Sequence, residues 1–129
     1  MLTDDLIMRE RRVGDVVVIE LSGDLDAFTV QKLRNRLNEL IEGGARKIVL
    51  KLSELKFINS ASIGALVNRL KRLRELKGEL VIAEPSERVG RIITLVGGGR
   101  IFNIYSSETE AIEDLTSRKG EEGGGPKDD

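Results

Sequence analysis

Residues 47–67 read KIVLKLSELKFINSASIGALV. Lys47 to Leu52 is a short run rich in Ile, Val and Leu, as a buried strand requires. Beyond Ser60, the apolar positions Ile63, Leu66, Val67, Leu70 and Leu73 recur at helical spacing. Between the two lies Phe57 to Gly64, FINSASIG, with three small polar residues, Asn59, Ser60 and Ser62. A strand that runs into a helix sets Ser60 at the strand's carboxyl end, where open α/β sheets carry their functional sites. As a local feature Ser60 reads as a helix N-cap, accepting a bond from first-turn amides. The cap is the favoured reading, and an exposed hydroxyl at that point is also compatible with a second role.

Upstream, Leu6–Arg12 and Val16–Leu21 are β-prone runs separated by Val13-Gly14-Asp15, which predicts an antiparallel hairpin. VVVIEL is nearly continuously apolar, as in a strand covered on both faces. Residues 22–26 form a polar break. Val30, Leu33, Leu37, Leu40 and Ile41 then trace a first helix, with Asp26 as candidate N-cap and Gly43-Gly44 as stop. Helix followed by strand at Lys47 implies a crossover and a parallel partner.

Downstream, Gly78 ends the second helix and Leu80–Ala83 is a short strand. Pro85 and Ser86 open a third helix with Val89, Ile92, Ile93 and Val96 on one face, stopped by Gly97-Gly98-Gly99. Ile101–Tyr105 reads as a last strand, and Ser107–Leu115 as a closing helix capped by Ser106 or Ser107. The order β-β-α-β-α-β-α-β-α predicts an α/β fold with a mixed, mostly parallel β-sheet carrying packed helices. One domain spans 1–117. Residues 118–129, RKGEEGGGPKDD, lack an apolar anchor and read as a disordered polar C-terminal tail. No internal repeat is present.

The chemistry open to this chain is narrow. Its 129 residues hold no Cys and no His. Thiolate chemistry, Cys-type zinc sites and the usual Ser-His pairing are therefore excluded. Aromatics are 3% of the chain, too few for a base-stacking surface. With 21 basic and 22 acidic residues, no overall field draws the chain to nucleic acid or membrane. The N-terminus does not read as a secretory signal, and no run approaches the roughly 20 apolar residues of a membrane helix. A cytoplasmic protein is expected.

Ser60 lacks an S-x-x-K partner, because Ile63 and Ala65 occupy the positions three after Ser60 and Ser62; the G-x-S-x-G elbow is absent too. Hydrolase chemistry and any catalytic residue are thus not expected. Asp24 and Asp26 are too few for a metal site and read as turn and cap. Arg69, Lys71, Arg72, Arg74 and Lys77 form a basic set on the second helix, opposed by Glu75, and read as a solvated face with some preference for an acidic partner. Gly97–Gly99 lacks the Lys and Ser/Thr of a phosphate loop. Phosphorylation of Ser60 is physically permitted, since a helix N-terminus tolerates an anion. The added charge would disrupt a partner laid over that spot while sparing the fold beneath.

Three stretches together resemble the STAS domain, and within it the stand-alone bacterial anti-sigma-factor antagonists. LSGDLDAFT (21–29) is similar to the family's segment before its first helix. KIVLKLSELKFINSASIGALV resembles its central strand, loop and helix, and GGGRIFNIYSSETEAI (97–112) its closing strand and helix. The resemblance runs over residues 5–117. It implies phosphorylation at Ser60, with Ser62 as a possible second acceptor, and places Asp26 near the acceptor. Asn59 stands where the family has Asp, Ala61 where it has Ser, and Ser62 where it has Gly. The expected partner-binding residues are Asp24, Asp26, Phe28, Asn59, Ser60, Ser62 and Ile63.

By the same resemblance the partners are an anti-sigma factor that is also a serine kinase, and a serine phosphatase. The implied function is release of a sigma factor until phosphorylation switches the antagonist off. No cofactor, no metal, no direct nucleic acid and no membrane contact are expected, and a monomer is. Two other functions remain open: a STAS scaffold or transporter-associated module that is never phosphorylated, and a nucleotide-binding domain.

Overall fold

A computed structural model describes residues 6–117. The expected hairpin forms from β1 (Leu6–Val13) and β2 (Val16–Leu25), paired antiparallel from Leu6↔Gly23 to Val13↔Val16. Gly14 in the tight turn takes φ +62, a left-handed value that glycine adopts without strain. The chain continues through α1 (Val30–Glu42), β3 (Lys47–Ile58), α2 (Ser60–Glu75), β4 (Glu79–Ala83) and α3 (Glu87–Leu95). A short α4 (Gly98–Ile101), β5 (Ile104–Tyr105) and α5 (Glu108–Ser117) close it. The five strands form one sheet in the order β1-β2-β3-β4-β5, in which only the hairpin is antiparallel.

Alternation along the strands divides the apolar residues between two cores. Val17, Ile19, Leu21, Ile48, Leu50, Leu52, Leu80 and Ile82 face α1, α2 and α3. Val16, Val18, Val49, Val81 and Ala83 face α5 through Ala111 and Leu115. The near-continuous apolar character of residues 16–21 and 48–50 follows from this double burial.

Three expectations are corrected. First, residues 22–25 are not a break but the end of β2, and β3 runs on to Ile58. Register shifts between Glu20 and Ser22, and between Gly23 and Asp24, let polar residues join the ladder without disturbing the core face. Second, Gly97 at φ +84 does end α3, but Gly98 and Gly99 then enter the four-residue α4. A Cβ on Gly98 would lie 2.6 Å from Ile93 Cγ2, so that position has no room for a side chain. Third, the last strand is only Ile104–Tyr105.

The C-terminus of α2 shows a further close approach. Leu73 C=O accepts the Gly78 N–H at 2.7 Å, Arg74 C=O accepts that of Lys77, and Lys77 takes φ +65. A Cβ on Gly78 would sit 2.4 Å from the Arg46 carbonyl, so glycine here serves β3–β4 proximity rather than the helix stop alone. Ser86 caps α3 by accepting the Val89 N–H, and Ser107 accepts that of Glu110. The expected tail at 118–129 lies outside the described residues.

Candidate functional site

Two loops meet at the carboxyl ends of β2 and β3. In the sheet Asp24 pairs with Phe57 and Leu25 with Ile58, so the segments leaving both strands lie side by side. Leu25 C=O then accepts the Asn59 N–H at 3.2 Å and joins the two loops directly.

In the second loop the N-cap of α2 is Asn59, not Ser60. Asn59 holds extended backbone at φ −114, ψ 170, and its Oδ1 accepts the Ser62 N–H at 2.9 Å and the Ser62 hydroxyl at 2.8 Å. Ser60 is thereby released from capping. It is the first helical residue, it is exposed, and its side chain makes no hydrogen bond among the described residues. No acidic residue stands in the first turn of α2. The helix N-terminus therefore keeps its partial positive charge uncompensated.

The first loop is rigid for a different reason. Asp26 Oδ1 accepts the N–H groups of Phe28 and Thr29, each at 2.9 Å, and the Thr29 hydroxyl at 3.2 Å. That hydroxyl has one proton, shared between Asp26 Oδ1 and the nearer Asp24 C=O at 2.8 Å, and its oxygen accepts the Asp26 N–H. These donors, the Thr29 amide first, together hold the Asp26 carboxyl below its usual pKa against the opposing effect of burial. Asp26 thus caps the turn that feeds α1. The helix itself begins at Val30, with Thr29 in the cap position and no side-chain cap bond. Phe28 projects from this turn and is 82% exposed.

Five of the seven expected contact residues lie on or at this surface: Asp24, Asp26, Phe28, Asn59 and Ser60. Two do not. Ser62 is fully buried with its hydroxyl on Asn59, and Ile63 is 4% exposed in the main core. Neither Ser62 as a second acceptor nor Ile63 as a contact has access to a partner, because helical geometry turns the third and fourth residues of α2 inward. Thr29 was missed by sequence reading; its signal is the Asp26-x-x-Thr29 spacing of a hydrogen-bonded turn. Among the described residues, no group of three or more His, Cys, Asp or Glu converges as a metal site would need. No described helix is long and apolar enough to cross a membrane.

Comparison with known proteins finds matches over most of the chain. The STAS domain family model matches residues 8–111. The anti-sigma F factor antagonist of Paenibacillus polymyxa is 31% identical over 101 residues, covering 78% of this chain and 86% of that protein. The structure of the anti-sigma factor antagonist SpoIIAA in its unphosphorylated form superposes with TM-score 0.76 at 26% identity, covering 86% of this chain and 97% of that one. The structure of the Bacillus cell fate determinant SpoIIAA in its phosphorylated form superposes with TM-score 0.67 at 26% identity, covering 84% and 99%.

Proposed function

The chain belongs to the STAS domain family, and from that premise we propose that it is an anti-sigma-factor antagonist switched off by phosphorylation of Ser60. The observation that carries the reading is the division of labour at the start of α2: Asn59 caps the helix and Ser60 stands exposed with no side-chain hydrogen bond among the described residues. The names of its relatives support the antagonist role, and a relative whose structure carries phosphate supports the switch.

The mechanism follows from charge and place. The docking surface is the paired loops, with Phe28 as apolar anchor beside Asp24 and Ser60. An exposed aromatic at the centre of such a surface contributes strongly once water is excluded around it. The partner is an anti-sigma factor with serine kinase activity. It transfers the γ-phosphoryl group of ATP to the Ser60 oxygen; the hydroxyl proton leaves and ADP is released. The product carries close to two negative charges at neutral pH. The start of α2 accommodates them, since its first-turn amides point toward the anion. The docked partner does not, because charge and bulk now occupy a desolvated contact. Binding is lost, the fold is kept, and a serine phosphatase resets the cycle. The chain itself supplies no catalytic group.

The test uses purified protein, ATP and an anti-sigma-factor serine kinase from the same organism. Mass spectrometry should place phosphate on Ser60, and Ser60→Asp should abolish kinase binding. Equal binding of the wild type and Ser60→Asp would remove the switch and favour an unphosphorylated STAS scaffold.

A further inference from the structure

Six cations of the described chain are half-buried: Arg34, Arg36, Arg46, Lys47, Lys51 and Arg69. Arg36 pairs with Glu10 and Glu39, Lys47 with Asp15, and Lys51 with Glu84 and Glu108. The other three have no carboxylate within ion-pair distance among the described residues, and all three line the seam between α1 and α2. Among the described residues Arg34 meets only the Gln31 side-chain oxygen, at 3.5 Å. Burial first, and the nearby Arg34 charge second, pull the Arg69 guanidinium below its usual range. Arg46 donates through Nη1 to the carbonyls of Ile41 and Ala45.

Lower on the seam the surface opens into a groove lined by Asn38, Ile41, Glu42, Arg46, Arg72 and Leu76. Arg34, Asn38 and Ile41 continue one helical stripe of α1; Arg69, Arg72 and Leu76 continue one of α2. The seam is thus a furrow with the guanidiniums of Arg46 and Arg72 in its lower wall, and with Arg34 and Arg69 on the same two helical stripes above it. Glu42 lines it, and Glu75 pairs with Arg72 at its rim. Half-burying like charges side by side is unfavourable unless something opposite is laid upon them.

We propose that this furrow docks an acidic segment of a protein partner, with carboxylates held by the guanidinium forks of Arg34 and Arg69. The planar fork matches a carboxylate bidentately, which a lone point charge does not do. Nucleic acid fits less well, since the chain has nearly equal acidic and basic counts and few aromatics. A lipid surface fits less well too, because the exposed large apolar side chains lie elsewhere, at Ile7, Val13, Phe28, Phe57, Leu95, Val96, Ile101 and Ile104. The inference rests on the reading above for the partner's identity, since both helices start at the Ser60 surface. The furrow's own affinity does not depend on that reading.

The probe is a fluorescent dodecapeptide of alternating Glu and Asp, titrated into the full chain at low salt. Binding should saturate, shift the side-chain Nε–H resonances of Arg34 and Arg69, and vanish in 0.5 M salt, on the order of a few-ångström screening length. Arg34→Gln with Arg69→Gln should weaken it at least about tenfold without lowering the melting temperature. If that double variant melts lower, Arg69→Lys, which keeps the charge and loses the fork, carries the test and should bind about threefold more weakly. Unchanged affinity in these variants overturns the proposal. So does tighter, arginine-dependent binding of a single-stranded oligonucleotide or of phosphatidylglycerol vesicles. Ser60→Asp should leave peptide binding unaltered, so the switch and the furrow can fail separately.

Discussion

Asn59 accepts both the amide and the hydroxyl of Ser62, while the Ser60 side chain one residue away makes no hydrogen bond among the described residues. The two side chains should therefore separate cleanly in stability measurements. Ser60→Ala is expected to change unfolding free energy by no more than about 0.5 kcal/mol, as for a surface site without partners. Asn59→Ala removes the cap and strands a buried hydroxyl, so chemical denaturation should show a loss of about 1–2 kcal/mol. Comparable losses in both would mean that Ser60 is structural. Sequence alone located this corner to within one residue and then misassigned it. Asn and Ser are both good caps, and the choice between adjacent candidates depends on which residue keeps extended backbone, a property of the strand that delivers it.

The β2–α1 turn is held by a carboxylate whose pKa is depressed. Its stabilising effect is fully present above the unfolded-state pKa of Asp, and it fades as pH falls through the lower, folded-state value. The stability difference between wild type and Asp26→Ala should thus be constant near neutrality and shrink in thermal melts taken progressively below about pH 4. A difference that grows on acidification would reverse the assignment. The helices at 30–42 and 60–75 and the hairpin were legible because apolar spacing alone decides them. The far ends of β2 and β3 were not, since Ser22, Gly23, Asp24, Glu54 and Lys56 look like loop until their pairing is known. In the proposed docking the two loops would reach a partner already joined through Asn59 and Leu25. Little ordering is left to occur on docking, which favours binding without a large conformational entropy loss.

Across the whole molecule the two cores are unequal. Among the described residues, three helices cover one face of the sheet and α5 alone covers the other. At its start α5 is tied down by Glu108, whose carboxylate meets Arg11 and Lys51 and whose amide donates to Glu84 at 2.8 Å. Burial raises the Glu108 pKa, but the two cations outweigh it and leave the group below its usual range. In native-state hydrogen exchange, amides of α5 should open well before those of β2 and β3, since fewer apolar contacts hold them. Simultaneous exchange of all three would show a single cooperative unit. The topology was readable from element order, whereas this imbalance was not, because helical spacing shows that a helix packs but not onto which face of the sheet. It has a practical consequence for handling the protein. Beneath α5 lies a ribbon of Val16, Val18, Val49, Val81 and Ala83, β-structured and apolar. A chain truncated before Ser106 would bare that ribbon to its neighbours and precipitate, so the closing helix is what keeps this small sheet in solution.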